Sequence, residues 1–244
     1  MNNQAPTVVL VHGAFAESAS WNGVIEQLHG RGVEAIAAAN PLRSVTSDAA
    51  YLRGVIAGLA KPVLLVGHSY GGIVITEAAS QNPAVVGLVY VSAFAPDRGE
   101  SALQLSTTFP GSTLGEALTA YPVSTGGSEF TIRLDVFHDQ FAADVPLPVA
   151  GKMGRTQRPV TEYALSEGLP TSTPAWKTLP SWFVFGDQDR NIPAAALRAE
   201  AERAGARGVR EVAGASHAIS VSRPDEVTAT ILEALAGCAA ADAA

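Results

Sequence analysis

The sequence PVLLVGHSYGG at residues 62–72 joins a buried apolar run to a glycine-rich turn. Residues 63–66 have the composition of a buried strand, and residues 73–80 are typical of the helix that follows it. Between them lies a G-x-S-x-G pattern, in which an abrupt turn lifts the serine above the sheet edge. The free N–H groups of the following helix point at the same place, and the flanking glycines let the chain segments pass closely. Ser69 is therefore the predicted nucleophile.

Outward from this stretch, short apolar runs alternate with amphipathic segments, which predicts β-α-β units on a parallel sheet. The predicted strands are 7–11, 33–39, 62–66, 85–94, 181–186 and 208–212. The predicted helices are 18–30, 47–59, 73–80, 194–204 and 224–236. Together they predict an α/β core made of residues 1–96 and 180–244.

Residues 97–179 break this alternation and are rich in Pro, Gly, Ser and Thr. A loop of about 80 residues without secondary structure is implausible in a compact domain. We therefore predict an inserted cap of short helices over the C-terminal edge of the sheet, with helical patches at 115–120 and 136–143.

Composition excludes several classes of function. The 244 residues carry a net charge of −7 without any cluster of Lys and Arg, which argues against nucleic acid or an anionic membrane as partner. No apolar run reaches the ~20 residues that span a bilayer, and no leader pattern opens the chain, so a cytoplasmic location is expected. A single cysteine, Cys238, excludes an internal disulfide and a cysteine-rich metal site. With no His-Glu-x-x-His motif or dinucleotide fingerprint, we expect neither a metal nor a cofactor.

A serine hydroxyl needs a base to remove its proton, and the base needs a third group to orient it. Among the five histidines, His217 follows a predicted strand and precedes the last predicted helix. This places it at the same sheet edge as Ser69 and after it in the chain. His29 and His138 are typical of surface and cap residues, and His68 is expected to point away from the serine. His217 is the predicted base.

The predicted acid has two candidates in the sequence GDQDRNIP at 186–193, where an apolar strand runs into a turn. Asp187 and Asp189 both stand at the C-terminal edge of that strand. The first can also cap the turn or pair with Arg190. The spacing alone leaves both open.

An oxyanion site needs two donors in place before charge develops. The backbone N–H of Tyr70 is one expected donor. The other is expected from the sequence HGAF at 12–15, with Ala14 preferred and Phe15 as second choice; the alternative is that this segment only turns the chain. Loss of one such donor costs ~3 kcal/mol of transition-state stabilisation. The residues considered for an apolar substrate pocket, against the alternative of core packing, are Phe15, His12, Phe94, Phe137 and Phe141.

Four motifs now stand in order along the chain: VLVHG at 9–13, GHSYGG at 67–72, GDQDRNIP at 186–193 and GASH at 214–217. Together they resemble the α/β-hydrolase superfamily, and within it small bacterial serine hydrolases of the esterase type, akin to the plant methylesterase and hydroxynitrile lyase branch. The resemblance implies a mostly parallel twisted sheet flanked by helices and a Ser-His-Asp triad. In that family the second aspartate of the segment is the acid, which selects Asp189.

Two differences from the patterns of related branches indicate which branch of this superfamily the chain resembles. Hydroxynitrile lyases carry Thr after the first-strand histidine and Lys after the catalytic histidine, whereas this chain has Gly13 and Ala218. Epoxide hydrolases and haloalkane dehalogenases use an aspartate in place of Ser69. The resemblance therefore favours hydrolysis of esters.

The expected function is a cofactor-free esterase that cleaves small neutral esters through an acyl-enzyme, with lactones or carbamates as variants. The alternatives on the same triad are C–C bond hydrolysis, cofactorless peroxidation, and a ligand-binding module with slow turnover. The substrate preference and the motion of the cap stay open. A homodimer is an open alternative as well.

Overall fold

A computed structural model of the chain describes residues 5–124 and 126–242. Its strands are β1 (Thr7–Val11), β2 (Ala35–Ala38), β3 (Val63–His68), β4 (Val85–Val91), β5 (Leu118–Pro122), β6 (Ser128–Ile132), β7 (Val160–Thr161), β8 (Ser181–Gly186) and β9 (Gly208–Val212). Its α-helices are α1 (Asn22–His29), α2 (Val45–Leu59), α3 (Gly71–Ala79), α4 (Ala102–Ser106), α5 (Leu114–Ala117), α6 (Phe137–Phe141), α7 (Leu147–Thr156), α8 (Glu162–Ser166), α9 (Ala194–Arg203), α10 (Ile219–Ser222) and α11 (Pro224–Asp242). Short 3₁₀ helices cover Ser18–Trp21 and Ala175–Lys177.

The main sheet has six strands in the order β2-β1-β3-β4-β8-β9, and every neighbouring pair is parallel. All six strands therefore end at one edge. Loops at the C-terminal edge of such a sheet are where ligands bind in open α/β folds. The predicted α/β-hydrolase fold class, a parallel sheet flanked by helices, is confirmed.

The two faces of the sheet bury separate apolar clusters because alternate strand residues point to opposite faces. In β1, Val9 and Val11 belong to a cluster with α2, α3 and α9, whereas Val8 and Leu10 pack with α1 and α11. Each fully buried Val or Leu side chain contributes ~1.5–3 kcal/mol from the hydrophobic effect. Within the described residues, no helix is both long and apolar enough to cross a membrane.

Residues 97–179, the insertion, lie between β4 and β8 and add a three-stranded antiparallel sheet to the expected helices. The predicted helix at 115–120 is therefore wrong in its second half, where α5 gives way to β5 at Leu118. The physical reason is pairing: residues 118–122 become a strand because β6 supplies backbone partners from Ile132 back to Ser128. A local pattern carries no signal for such a partner.

Candidate active site

Ser69 occupies the turn between β3 and α3 with φ of 54°, in the left-handed region that a residue with a side chain rarely adopts. The turn is possible because the neighbouring backbones come very close. A Cβ on Gly71 would lie 2.5 Å from the carbonyl oxygen of Val11, and one on Gly67 would lie 2.6 Å from the carbonyl oxygen of Gly71. The Ser69 residue is 8% exposed. The strand-to-helix turn predicted for this serine is present.

His217 and Asp189 form a buried pair at the same sheet edge. The His217 Nδ1–H donates to Asp189 Oδ2 at 2.7 Å, and both side chains are fully shielded from solvent. The other carboxylate oxygen of Asp189 accepts the backbone N–H groups of Asn191 at 2.8 Å and Ile192 at 2.9 Å. These bonds fix both oxygens of the carboxylate. They also leave His217 Nε2 as the ring atom that can accept a proton.

The second candidate carboxylate has a different role. Asp187 Oδ1 accepts the backbone N–H of Gly214 at 2.7 Å, which ties the turn after β8 to the loop after β9. Arg190 points elsewhere and donates to the carbonyl oxygen of Asp139 at 3.2 Å. Of the two aspartates left open by spacing, Asp189 is the one in contact with His217.

His217 lies next to the turn at Ser69, as shown by the contacts of His68, the residue that precedes the serine. The ring of His68 is 4.7 Å from the ring of His217, and His68 Nε2–H donates to the His217 carbonyl oxygen at 3.0 Å. Burial, followed by the neighbouring His217, holds the pKa of His68 well below its ordinary value. Nε2 of His217 is buried and has no hydrogen-bond partner among the described residues, Ser69 included. Such contacts are often long in unliganded sites and tighten around substrate.

The segment after β1 packs against the serine. A Cβ on Gly13 would lie 2.6 Å from Ser69 Cβ, and Asn40 Nδ2 donates to the His12 carbonyl oxygen at 2.9 Å. The N–H of Phe15 is occupied, since it donates to the carbonyl oxygen of Arg158 at 3.1 Å. That of Ala14 makes none of the backbone hydrogen bonds found in the described chain. The geometry therefore favours Ala14 over Phe15 as an oxyanion donor.

A cavity of about 480 Å³ opens at Ser69. From the core it is lined by Ala14, Phe15, Tyr70, Phe94 and Ile192, and from the insertion mainly by the stretch between residues 102 and 118. Of the aromatic pocket candidates, Phe15 and Phe94 line this cavity. His12, Phe137 and Phe141 do not line it.

Those three residues pack inside the protein. His12 is fully buried with Nδ1–H donating to the Gly13 carbonyl oxygen at 2.9 Å, and burial lowers its pKa to about 4. Phe137 stacks on Phe141 at 5.2 Å, and Phe141 meets the His217 ring edge-on at 5.0 Å. Core packing is the observed role, and for Phe141 it includes support of the imidazole.

Tyr70 has an anchor that the sequence pattern did not reveal. Its hydroxyl donates to Asp48 Oδ2 at 2.9 Å, deep in the core, and the same carboxylate accepts the backbone N–H of Arg43 at 3.1 Å. Burial raises the pKa of Asp48. The residue after Ser69 is thereby tied to α2. The only trace in the sequence is an aspartate in the first turn of a helix, which usually signals a favourable helix dipole contact.

No group of three or more His, Cys, Asp or Glu side chains suited to a metal ion occurs in the described part of the chain.

A model of the alpha/beta hydrolase family matches residues 8–230, and the chain belongs to this family. The alpha/beta hydrolase nvfD of Aspergillus novofumigatus is 28% identical over 260 aligned positions, which cover 94% of this chain and 96% of that protein. The carbendazim hydrolyzing esterase of Nocardioides sp. strain SG-4G is 52% identical over 44 residues, 18% of each chain.

Solved structures show the same fold at low sequence identity. Polyneuridine aldehyde esterase superposes with a TM-score of 0.79 at 20% identity, over 94% of this chain and 99% of that one. A pyrethroid hydrolase from Sphingobium faniae JZ-2 superposes with a TM-score of 0.74 at 21% identity, over 95% and 98% of the two chains.

Proposed function

We propose that this protein is a serine hydrolase that cleaves small uncharged carboxylic esters, with Ser69 as nucleophile, His217 as base and Asp189 as orienting acid. The observation that carries the proposal is the buried 2.7 Å hydrogen bond between His217 and Asp189, at the sheet edge where Ser69 lines a cavity. A carboxylate bound to Nδ1 leaves Nε2 unprotonated and able to accept the serine proton.

In the proposed reaction, Ser69 Oγ attacks the acyl carbonyl carbon while His217 Nε2 takes the hydroxyl proton. The backbone N–H groups of Tyr70 and Ala14 hold the negative oxygen of the tetrahedral intermediate. His217 then protonates the leaving alcohol, and an acyl-enzyme remains on Ser69. A water molecule, deprotonated by His217, attacks that acyl group and releases the acid. Asp189 stabilises the His217 imidazolium both while the acyl-enzyme forms and while it is hydrolysed.

The cavity supports uncharged substrates. Its lining is mainly apolar, and Glu116 is the one charged residue among the described residues that line it. With no Lys or Arg in this set, an anionic acyl or alcohol group has no partner there, whereas an apolar group is favoured by burial. The names of the similar proteins, among them an esterase of carbendazim and a hydrolase of pyrethroids, agree with ester chemistry on this scaffold.

The test compares two serines with similar backbone geometry. Ser92 follows β4 at φ of 42°, is buried, and does not line the cavity, so Ser92→Ala is the matched control for Ser69→Ala. We expect Ser69→Ala to lower kcat on nitrophenyl acetate by ~10⁴-fold or more, with an unchanged melting temperature. Ser92→Ala should keep the wild-type rate.

Fluorophosphonate labelling followed by intact mass gives a second readout. The wild-type protein should gain one adduct, and peptide mapping should locate it at Ser69. Sustained turnover of nitrophenyl acetate supports the hydrolase. One adduct without further turnover would instead identify the slow ligand-binding member of the fold, and labelling of Ser69→Ala at the wild-type rate would reject this serine as nucleophile.

A further inference from the structure

Residues 112–113 of the insertion bond to the turn that carries Asp189, and a second short segment of the insertion bonds to the loops of both Asp189 and His217. Residues 140–144, here called the clasp, are the last two residues of α6 and the three residues that follow the helix. The clasp lies between the turn after β8, which carries Asp189, and the loop after β9, which carries His217. Gln140, Phe141 and Asp144 each bond to one of these loops.

Gln140 bonds to the acid loop, which is the turn after β8 that carries Asp189. Its side chain is buried, and Nε2 donates to the Arg190 carbonyl oxygen at 3.0 Å and to Asn191 Oδ1 at 2.8 Å. Its Oε1 accepts the hydroxyl of Thr113, which lines the cavity, at 2.8 Å. Because the backbone N–H of Asn191 donates to Asp189 Oδ1, these bonds fix the peptide units that hold the carboxylate.

Phe141 and Asp144 bond to the base loop, which is the loop after β9, on both sides of His217. The Phe141 carbonyl oxygen accepts the Ala218 N–H at 3.0 Å and the Ser216 hydroxyl at 3.4 Å. The Ser216 hydroxyl also donates to Asp144 Oδ1 in a short bond, and Asp144 Oδ2 pairs with Arg223 at 3.3 Å. The residues directly before and after His217 are thus bonded to the clasp.

We propose that the clasp sets the relative position of the acid and base loops, with Gln140 and Asp144 as positioning residues for the pair. The inference rests on the proposed roles of His217 and Asp189. The two loops leave neighbouring strands, and the clasp bonds both of them from a third segment. Displacement of a catalytic group by about 1 Å can lower a rate ~10²-fold, so such an anchor matters for rate even far from substrate.

Glu129 offers a control matched to Asp144. Both are acids of the insertion with side chains 12% exposed, both pair with a core arginine, and both accept a hydroxyl. The partners of the Glu129 side chain are Arg43 and the hydroxyl of Tyr121, and no hydrogen bond or ion pair of the described residues joins this side chain to the acid or base loop. We therefore expect Asp144→Ala and Glu129→Ala to remove comparable stabilisation from different places.

The experiment measures the rate of fluorophosphonate labelling, kcat and KM on nitrophenyl acetate, and the melting temperature. We expect Asp144→Ala and Gln140→Leu to lower labelling and kcat at least ~10-fold with KM within about twofold, because neither residue lines the cavity. Glu129→Ala should lower the melting temperature by a similar amount and keep the wild-type labelling rate. Asp144→Asn keeps an acceptor for Ser216 and should recover most of the rate, which also guards against misfolding of the alanine variant.

A double-mutant cycle between Asp144→Ala and Ser216→Ala gives a readout that general destabilisation does not move. If the two residues act through one bond, the double variant should be no slower than the slower single variant. Clasp variants labelled as fast as Glu129→Ala would overturn the positioning inference while leaving Ser69 as nucleophile. Failure of the proposed function is distinct, because the wild-type protein would then take up no label at Ser69.

Discussion

The turn around Ser69, here called the elbow, and the clasp of the insertion both shape the site, but they differ in how the sequence signals them. The elbow is one continuous motif at residues 67–72, whose glycines permit close backbone contacts, including one with β1, that a Cβ would block. The clasp bonds residues 72 positions apart at Ser216 and Asp144 and 50 apart at Gln140 and Arg190. A local motif can thus indicate a reactive group, whereas the alignment of that group depends on distant side chains that belong to no recognisable motif.

The two aspartates after β8 also differ in the contacts that they make, although they are neighbours in the sequence. Asp187 and Asp189 are two residues apart, yet one bonds to a backbone N–H and the other to the imidazole.

The largest effect on kcat is expected for substitution of Asp189. Asp189→Asn would place an amide against His217 Nδ1 and favour the wrong ring tautomer, and we expect kcat to fall ~10⁴-fold. Asp187→Asn keeps an oxygen that can accept from Gly214 N–H, and kcat should stay near wild type. Steady-state kinetics on nitrophenyl acetate checks both. Equal losses in the two variants would show that the contrast between the aspartates is not functional.

An intermediate effect, on the free energy of unfolding, is expected next to Ala95, where the chain leaves the core for the insertion. Glu200 of α9 is buried and accepts the Ala95 N–H, while Arg203 donates to the Ala95 carbonyl oxygen at 2.7 Å. Burial raises the pKa of Glu200 to about 7, despite the nearby Arg203. The folded protein therefore binds more protons than the unfolded chain between about pH 4 and 7, and this carboxyl lowers stability as pH rises through that window.

Glu200→Gln removes this titration. A pKa raised to about 7 corresponds to a penalty of about 3 kcal/mol above neutral pH. In urea titrations, we expect the free energy of unfolding of the variant, relative to wild type, to rise from pH 5 to about pH 7 and then to level off. Glu202→Gln, on the exposed side of the same helix, is the control and should follow wild type. A constant difference between Glu200→Gln and wild type would contradict a neutral carboxyl at this junction.

The smallest effect is expected in the cavity wall. Phe109 lines the cavity and Phe130 does not, although both are partly buried aromatic residues of the insertion that pack on the same core. Phe109→Ala should raise kcat/KM for long acyl esters relative to acetate by about tenfold, since a few methylene groups contribute this much to discrimination. Phe130→Ala should change stability and leave the ratio unaltered. A ratio unmoved by Phe109→Ala would place the acyl group elsewhere.

Much of the core could be predicted because its signals are local. The bounds predicted for β1, β8 and β9 agree with the structure, since each strand is a short run limited by turn residues. Residues 33–39 were predicted as a longer strand than β2, which covers Ala35–Ala38, because the neighbouring β1 has only limited length to pair. In the insertion, β6, α7 and α8 lie outside the two helical patches that the sequence predicts.

The candidate site divides in the same way. Ser69 and the loop position of His217 follow from motifs at the ends of parallel strands, which share an edge. The support of His217 by His68 and Phe141, and of Tyr70 by Asp48, did not follow from any pattern. Each depends on which buried side chain faces which, and that is settled only when helices and sheet pack.

The sequence by itself determined the parallel fold, the serine turn and the order of the reactive groups, because strand, turn and helix preferences act over a few neighbouring residues. The spacing of the two aspartates leaves the acid open, and the family resemblance selects Asp189. Only the tertiary structure showed the contact between Asp189 and the imidazole, and the bonds of Gln140 and Asp144 to the loops of Asp189 and His217. Hydrogen bonds between residues 28 to 72 positions apart form only after the chain has folded, so no local pattern encodes them.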